Sequence, residues 1–357
     1  MSLSTGRVVL TFEIDGSQKS GSGTLLRLAL ALAAIKGKSL HIINIRQNRP
    51  QPGLKPQHLE SVLAAAKLCN AKLEGAYLNS RELCFSPGAI RGGKVEAEIG
   101  TAGSIPILFM TALPICLFAK EPVQLHVSKG GTDTTHAPTI NYLKNVFLKA
   151  LQIMGIKAEI SIQKYGYYPK GMGEATLNVQ PTTKLLPIRL ESGETERHVK
   201  GISVCTFLAD RKVAERQAKA ATETLAQGGY SADIQITNDF SNPMQKGSSI
   251  ALWAETGDKA FIGADAIGEL KKNAEAVGKE AAEKLMKELN AGASVDTHLA
   301  DMLIPYEALA AGSSECLTSE LSEHLEANIW LSEKMLGANF SVSRAGALYK
   351  IEKLAVS

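Results

Sequence analysis

Arg46, Arg49 and Lys55 crowd one stretch, 44–59, that Pro50, Pro52 and Pro56 stiffen and that ends on Gln57 and His58. Arginine grips phosphate oxygens bidentately, and proline lowers the entropy lost in holding a loop ready, so this stretch is the best local anion site in the chain. On charge alone, a solvated basic loop explains it equally well. Upstream, Gly16, Gly21 and Gly23 punctuate a turn between a strand-like run and an apolar helix. The turn is not a Walker loop, since Ser22 stands where the lysine belongs, and it lacks the Rossmann glycine spacing. A bare glycine-rich turn is the default for it. Its N–H groups at a helix start, with Arg27 one turn further on, can still bind an anion.

Such residues act only where secondary structure brings them together, and this chain repeats one arrangement. A strand at Val8–Ile14 enters the turn at 15–23 and a helix at about Leu25–Ile35. Val95–Ile99 leads through Gly100–Ser104 into the apolar run Ile105–Ala119, and Val123–Val127 leads through Gly130–Asp133 into a helix at about Thr139–Met154. The recurrence predicts an α/β (α+β) fold of repeated βαβ-type units packed side by side.

Composition shifts after Pro181. The charged segment Arg189–Lys200 precedes a strand at Val199–Leu208 and a helix with Ala214, Ala218, Ala221 and Leu225 on one face, which stops at Gly228-Gly229. Strands near Ala232–Ile236, Ser249–Glu255 and Lys259–Gly263 complete a small inserted βαββ domain. A helix at about Asn273–Leu289 follows, with Val277, Ala281, Leu285 and Leu289 inward and the pairs Glu275/Lys279, Glu280/Lys284 and Glu283/Lys287 on its solvated side. We divide the chain into a core domain at 1–185, an inserted domain at 186–286, and a return to the core at 287–357.

Over 357 residues, 39 basic and 36 acidic side chains leave a formal charge of +3, and 45% hydrophobic with 21% charged residues excludes disorder and collagen-like structure. A pI near 8.4 is too mild for a module that holds nucleic acid by bulk charge, so phosphate recognition must come from local arginine clusters. Met1–Gly16 has no signal-peptide pattern, and Ile105–Ala119 is short for a membrane span and carries Pro106 and Pro114, so it is expected to be a buried helix. The five cysteines are scattered, odd in number and without a Cys/His cluster, which points to a reducing cytoplasm and no structural zinc.

Six runs, Ile14–Ser17, Asn44–His58, Ser80–Leu83, Gly100–Ser104, Gly130–Asp133 and Gly166–Glu174, occur in an order and over a span that resemble the RNA 3′-terminal phosphate cyclases. The resemblance covers nearly the whole chain. It implies repeated α/β units similar to those of enolpyruvyl transferases, joined to a small inserted domain. It also implies an ATP-dependent enzyme, using a divalent metal such as Mg or Mn, that turns an RNA 3′-phosphate into a 2′,3′-cyclic phosphodiester. By that resemblance a histidine attacks the α-phosphate of ATP and releases diphosphate, AMP moves to the RNA 3′-phosphate, and the neighbouring 2′-OH displaces AMP. The logic is sound chemistry, because AMP supplies the leaving group that a phosphate monoester lacks and ring closure is intramolecular.

Of seven histidines, His324 in Ser322–Ile329 matches the family's nucleophile, ahead of an Asn-Ile pair. In a first helical turn it would be kept neutral and close to phosphate, with Asn328 on the same face. Without the resemblance it is a surface histidine among glutamates. His298, Leu299, Ala300, Asp301 and Met302 match the adenylate-contacting segment, with Pro138, Phe261 and Met110 at positions packed near the nucleotide. Arg27, Arg46, Arg49 and Gln57 match the RNA-phosphate site. The chain departs from the family at Ser20, where a metal-associated glutamate is usual, at Met110, where a glutamine is usual, and at Tyr165 and Met172. Those departures keep open a second class, a non-catalytic RNA-binding or ribosome-assembly factor of the same fold, and a third in which adenylylation stops before cyclisation.

Overall fold

The computed structural model describes residues 11–191, 197–255 and 261–355. In the first unit, β1 (Thr11–Asp15) leads through the glycine-rich turn into α1 (Gly23–Lys36) and back as β2 (Ser39–Ile43), parallel to β1. α2 (Pro56–Cys69) and the strands β3 (Lys72–Glu74) and β4 (Leu83–Ser86) complete a sheet ordered β1-β2-β4-β3. Leucine and alanine dominate α1, Ser22 caps its start by accepting the Thr24 N–H, and Gly37 ends it at φ 61°.

The second unit repeats the path with β5 (Gly93–Glu98), α3 (Ile105–Cys116) and β6 (Val123–Gly130). Its second helix is composite: α4 (Ile140–Tyr142), a π-helical turn over Leu143–Phe147, and α5 (Leu148–Ile153). β7 (Ala158–Lys164) and β8 (Gly173–Val179) close a sheet ordered β5-β6-β8-β7, with the same strand directions as the first. As expected, α3 is a core helix; every residue but Met110 is buried.

Residues 188–190 begin a third unit, which the chain leaves at once for an inserted one. This holds β9 (His198–Thr206), α6 (Val213–Gln227), β10 (Ser231–Asp239), β11 (Gly247–Glu255), β12 (Phe261–Ile267) and α7 (Ala274–Ala291), with sheet order β10-β9-β11-β12. α6 and α7 pack together and bury Ala221, Leu225, Val277, Ala281 and Leu285 in an apolar cluster distinct from the main core. Residue 286 lies inside α7, whose apolar face runs on to Leu289 in that cluster, and we propose 198–291 as the extent of the insertion. The strand expected at 259–263 is seen from Phe261 and extends to Ile267, because its register with β11 continues that far. Lys259 and Ala260, like Val8–Leu10 of the first expected strand and 192–196 of the charged segment, lie outside the described residues. On the surface of α7 the Glu280–Lys284 pair forms at 2.7 Å, whereas Glu275 pairs with Arg216 of α6.

The chain returns as α8 (Thr297–Leu309), β13 (Ser314–Thr318), α9 (Glu323–Leu336), β14 (Phe340–Ala345) and β15 (Leu348–Lys353), ordered β13-β15-β14. The missing edge is supplied by 188–190: Leu190 donates to Glu315 O and Glu315 to Ile188 O, both at 2.8 Å, in parallel. The third unit thus follows the other two, with the bridged segment 188–190 in place of a first strand and the insertion between it and α8. α1 packs on α3 and α3 on α8, while α9 flanks α1, α2 flanks α3, and α9 and the π-helical turn flank α8.

Candidate active site

Where α1, α3, α8 and α9 converge they leave a cavity of about 460 Å³. Its lining changes along α1, from Thr24 and Arg27 in the first turns to Leu28 and Ala31 further on, and α3 and α8 extend the apolar side with Met110 and Pro305. A volume within ~300–1,000 Å³, mostly apolar with a few convergent polar groups, suits a small organic ligand. The inserted unit reaches the same cavity through Asp265 and Lys284.

His324 is the second residue of α9, which Ser322 caps by accepting the Leu325 N–H at 3.0 Å. The Ser322 hydroxyl donates to Asp301 Oδ1 at 2.6 Å, and Asn328, one turn beyond His324, donates from Nδ2 to Asp301 O at 2.8 Å. Asp301 therefore ties α9 to α8 and sets the height of the imidazole. Burial pushes the Asp301 carboxyl up to about 7. His324 Nδ1 lies 3.3 Å from Thr24 Oγ1, and Arg27 Nη2 donates to the same hydroxyl at 3.0 Å. Burial, and then Arg27 and Arg49, hold the His324 pKa below the ordinary value of 6.5, so at neutral pH the ring keeps a free lone pair.

The arginines form one electrostatic group. Burial and then Arg46 push the Arg27 guanidinium down to about 10, and burial and then Arg49 lower Arg46. Arg46 Nη1 is held by Gln51 O at 2.8 Å and Gly53 O at 2.9 Å. Among the described residues no carboxylate pairs with Arg27, Arg46 or Arg49, so like charges are gathered without a counter-ion; an anionic ligand relieves that repulsion. His58 sits beneath them, buried, its Nδ1 without a partner, and burial followed by Arg27 drives its pKa down to about 2. A Cβ at Gly23 would come within 2.5 Å of His58 Nε2 and 2.8 Å of Arg27 Nη1, so only glycine leaves room for this packing.

The family model for RNA 3′-terminal phosphate cyclase matches residues 18–342. This chain belongs to that family. It is 44% identical to the RNA 3′-terminal phosphate cyclase of Pyrobaculum neutrophilum over 346 residues, 96% of this chain and 98% of the relative. Identity to the Pyrococcus furiosus cyclase is 44% over 329 residues (92% and 94%), and to that of Methanosarcina barkeri 43% over 339 residues (95% and 98%).

Of the positions that resemble the cyclases' nucleotide site, His298, Asp301, Met302, Pro138 and Met110 line the cavity beside His324. Leu299 and Ala300 do not: both are fully enclosed in the main core. Phe261 is also buried there, its N–H donating to Ser294 O at 2.9 Å, and it does not reach the cavity wall. Arg27 lines the cavity, whereas Arg46, Arg49 and Gln57 lie outside its lining. Gln57 is already used in part, since its Oε1 accepts the Ser104 N–H at 2.9 Å and so joins α2 to the start of α3. Sequence reasoning missed Thr24, Asp265 and Lys284. The only signal for Thr24 was its place just behind a capping serine.

A resident divalent cation finds no cage among the described residues: no three His, Cys, Asp or Glu side chains cluster suitably. Ser20 is buried and its hydroxyl is within 3.0 Å of Ser22 Oγ. Asp15 Oδ1 receives the Ser17 N–H at 2.9 Å, the Ser17 hydroxyl at 2.8 Å and Asn44 Nδ2 at 3.1 Å, bonds that hold its pKa below the usual carboxylate value. Those bonds all fall on Oδ1, and Asp15 is the one carboxylate of the turn 15–24; a single carboxylate does not make the several-oxygen cage that a protein-held hard cation needs.

Proposed function

We propose that this chain converts an RNA 3′-terminal phosphate to a 2′,3′-cyclic phosphodiester with ATP as co-substrate, releasing AMP and diphosphate. The observation that carries the proposal is His324, kept neutral on a cavity wall at a helix start, beside arginines that no carboxylate among the described residues neutralises. The apolar side, Leu28, Met110 and Pro305, takes the adenine, and the α-phosphate lies toward Arg27 and His324. His324 attacks that phosphorus to form an enzyme–histidine–AMP intermediate. Arg46 and Arg49, beside the cavity, hold the RNA 3′-phosphate that next accepts AMP; the adjacent 2′-OH then closes the ring and expels it. Met110 offers no hydrogen bond to the base, so the pocket reads its shape and stacking surface. Any divalent ion is carried by the nucleotide phosphates. Among the described residues no helix is long and apolar enough to cross a membrane, and a reducing cytoplasm is part of the same proposal.

Incubation with α-phosphate-labelled ATP tests it. The expected result is an acid-labile, alkali-stable label on the wild-type protein that His324→Ala abolishes, with cyclic ends formed on 3′-phosphorylated RNA. Ser20, a hydroxyl where the cyclases carry glutamate, favours the second reading, an RNA-binding factor without chemistry. Folded wild-type protein that acquires no label with any divalent metal would establish that reading instead.

A further inference from the structure

Imidazole has two nitrogens, and in its neutral form only one holds the lone pair that can attack. The cavity wall distinguishes them. His324 Nδ1 lies 3.3 Å from Thr24 Oγ1, a contact that bridges the third unit and the first. Among the described residues neither ring nitrogen has another hydrogen-bond partner. The same hydroxyl is anchored by Arg27 Nη2 at 3.0 Å. A threonine oxygen that accepts one hydrogen bond still has a second lone pair and its own proton. Two arrangements are therefore possible: Nδ1–H donates to Thr24, or Thr24 donates to Nδ1. The second would strand the ring proton on Nε2 and leave neither nitrogen able to attack.

We propose that Thr24 is a positioning residue whose hydroxyl accepts the Nδ1–H of His324, fixing Nε2 as the unprotonated, attacking nitrogen. The inference rests on the cyclase reading of this cavity and names the atom that reading requires. In the first step the Nε2 lone pair forms a bond to the α-phosphorus of ATP. The bond from that phosphorus to the oxygen bridging the β-phosphate breaks, and diphosphate leaves with its electrons. The proton stays on Nδ1 throughout, so positive charge grows on the ring as the N–P bond forms. Thr24 Oγ1 then accepts a charge-assisted hydrogen bond that is stronger in the transition state than in the ground state, which is the condition for speeding a step. A contact of 3.3 Å has room to tighten when the ligand binds.

Histidine-selective ¹⁵N labelling and long-range ¹H–¹⁵N NMR read the tautomer directly, with His324 assigned as the ring missing from His324→Ala. The wild-type ring should show a protonated Nδ1 and a pyridine-like Nε2. Thr24→Val keeps the side-chain shape, removes the hydroxyl and should abolish that preference; Thr24→Ser should restore it. In parallel, Thr24→Val should slow self-adenylylation at saturating ATP by ~10-fold or more, with KM for ATP changed less than about threefold. A wild-type ring protonated on Nε2, or a Thr24→Val variant with unchanged tautomer and rate, overturns the proposal. So does a rise in KM alone, which would show that Thr24 serves only to anchor Arg27. If the wild-type protein accepts no label, the cyclase reading fails, and the tautomer in Thr24→Val still decides whether Thr24 holds the ring.

Discussion

The first and second units share a strand order and a path, yet they face the cavity with opposite chemistry. Each opens its first helix behind a capping serine, Ser22 or Ser104. At the fifth residue, α1 presents Arg27, whereas α3 carries Phe109, buried in the core; the third unit has Asp301 at that place in α8. The first residue differs too. Gly23 leaves space that His58 and Arg27 fill, while Ile105 fills its own. The scaffold supplies equivalent positions, and the residue types at the helix starts decide which unit presents a cation to the cavity and which an apolar wall.

Arg27→Ala should break that contrast most severely. Removing a charged donor from a transferring phosphate costs ~10²–10³ in rate, and single-turnover cyclisation should fall by about that much; a loss below ~5-fold would mean the arginines are not where the phosphate binds. Met110→Ala probes the second unit. Losing apolar contact of ~1 kcal/mol should raise KM for ATP about fivefold and leave kcat unchanged. A fall in kcat comparable to that of Arg27→Ala would erase the division between the two units.

The smallest effect concerns stability. The folded-state pKa of His58, about 2, lies below the ordinary 6.5, so the unfolded chain binds a proton that the folded one refuses. Its contribution is present in full above pH 6.5 and is lost as pH falls toward about 2, at up to ~1.4 kcal/mol per pH unit. His58→Leu should therefore flatten the decline between pH 6.5 and 5.5 by ~1 kcal/mol in paired urea melts. Identical slopes would show that the ring can be protonated in place, and that the first unit's cations are better screened than their packing suggests.

Much of this was legible in residue patterns. The glycine and serine turns ahead of apolar runs located α1 and α3, and the basic proline-rich stretch located the loop whose arginines gather near Arg27. Other features were hidden for physical reasons. The single bridge at Arg189 carries no periodicity, and its partner β13 lies beyond the insertion. The adenylate-like segment 298–302 was read as one block, but a helix turns: His298, Asp301 and Met302 face the cavity, and Leu299 and Ala300 face the core. Gln57 was expected to serve a ligand, and its bond to Ser104 joins positions that no local pattern connects. The His324 contact with Thr24 is similarly remote, spanning almost the whole chain.

That span has a temporal side. As the chain is synthesised, the arginines and Thr24 emerge first, the insertion folds as a domain-sized loop, and α9 with His324 comes near the end. A nascent chain can gather Arg27, Arg46 and Arg49 long before it holds the proposed nucleophile. On the proposed mechanism, chemistry would begin only when α9 docks on α1, so a molecule that became adenylylated would already have brought the third unit onto the first. Covalent labelling at His324 would report finished folding as much as catalysis.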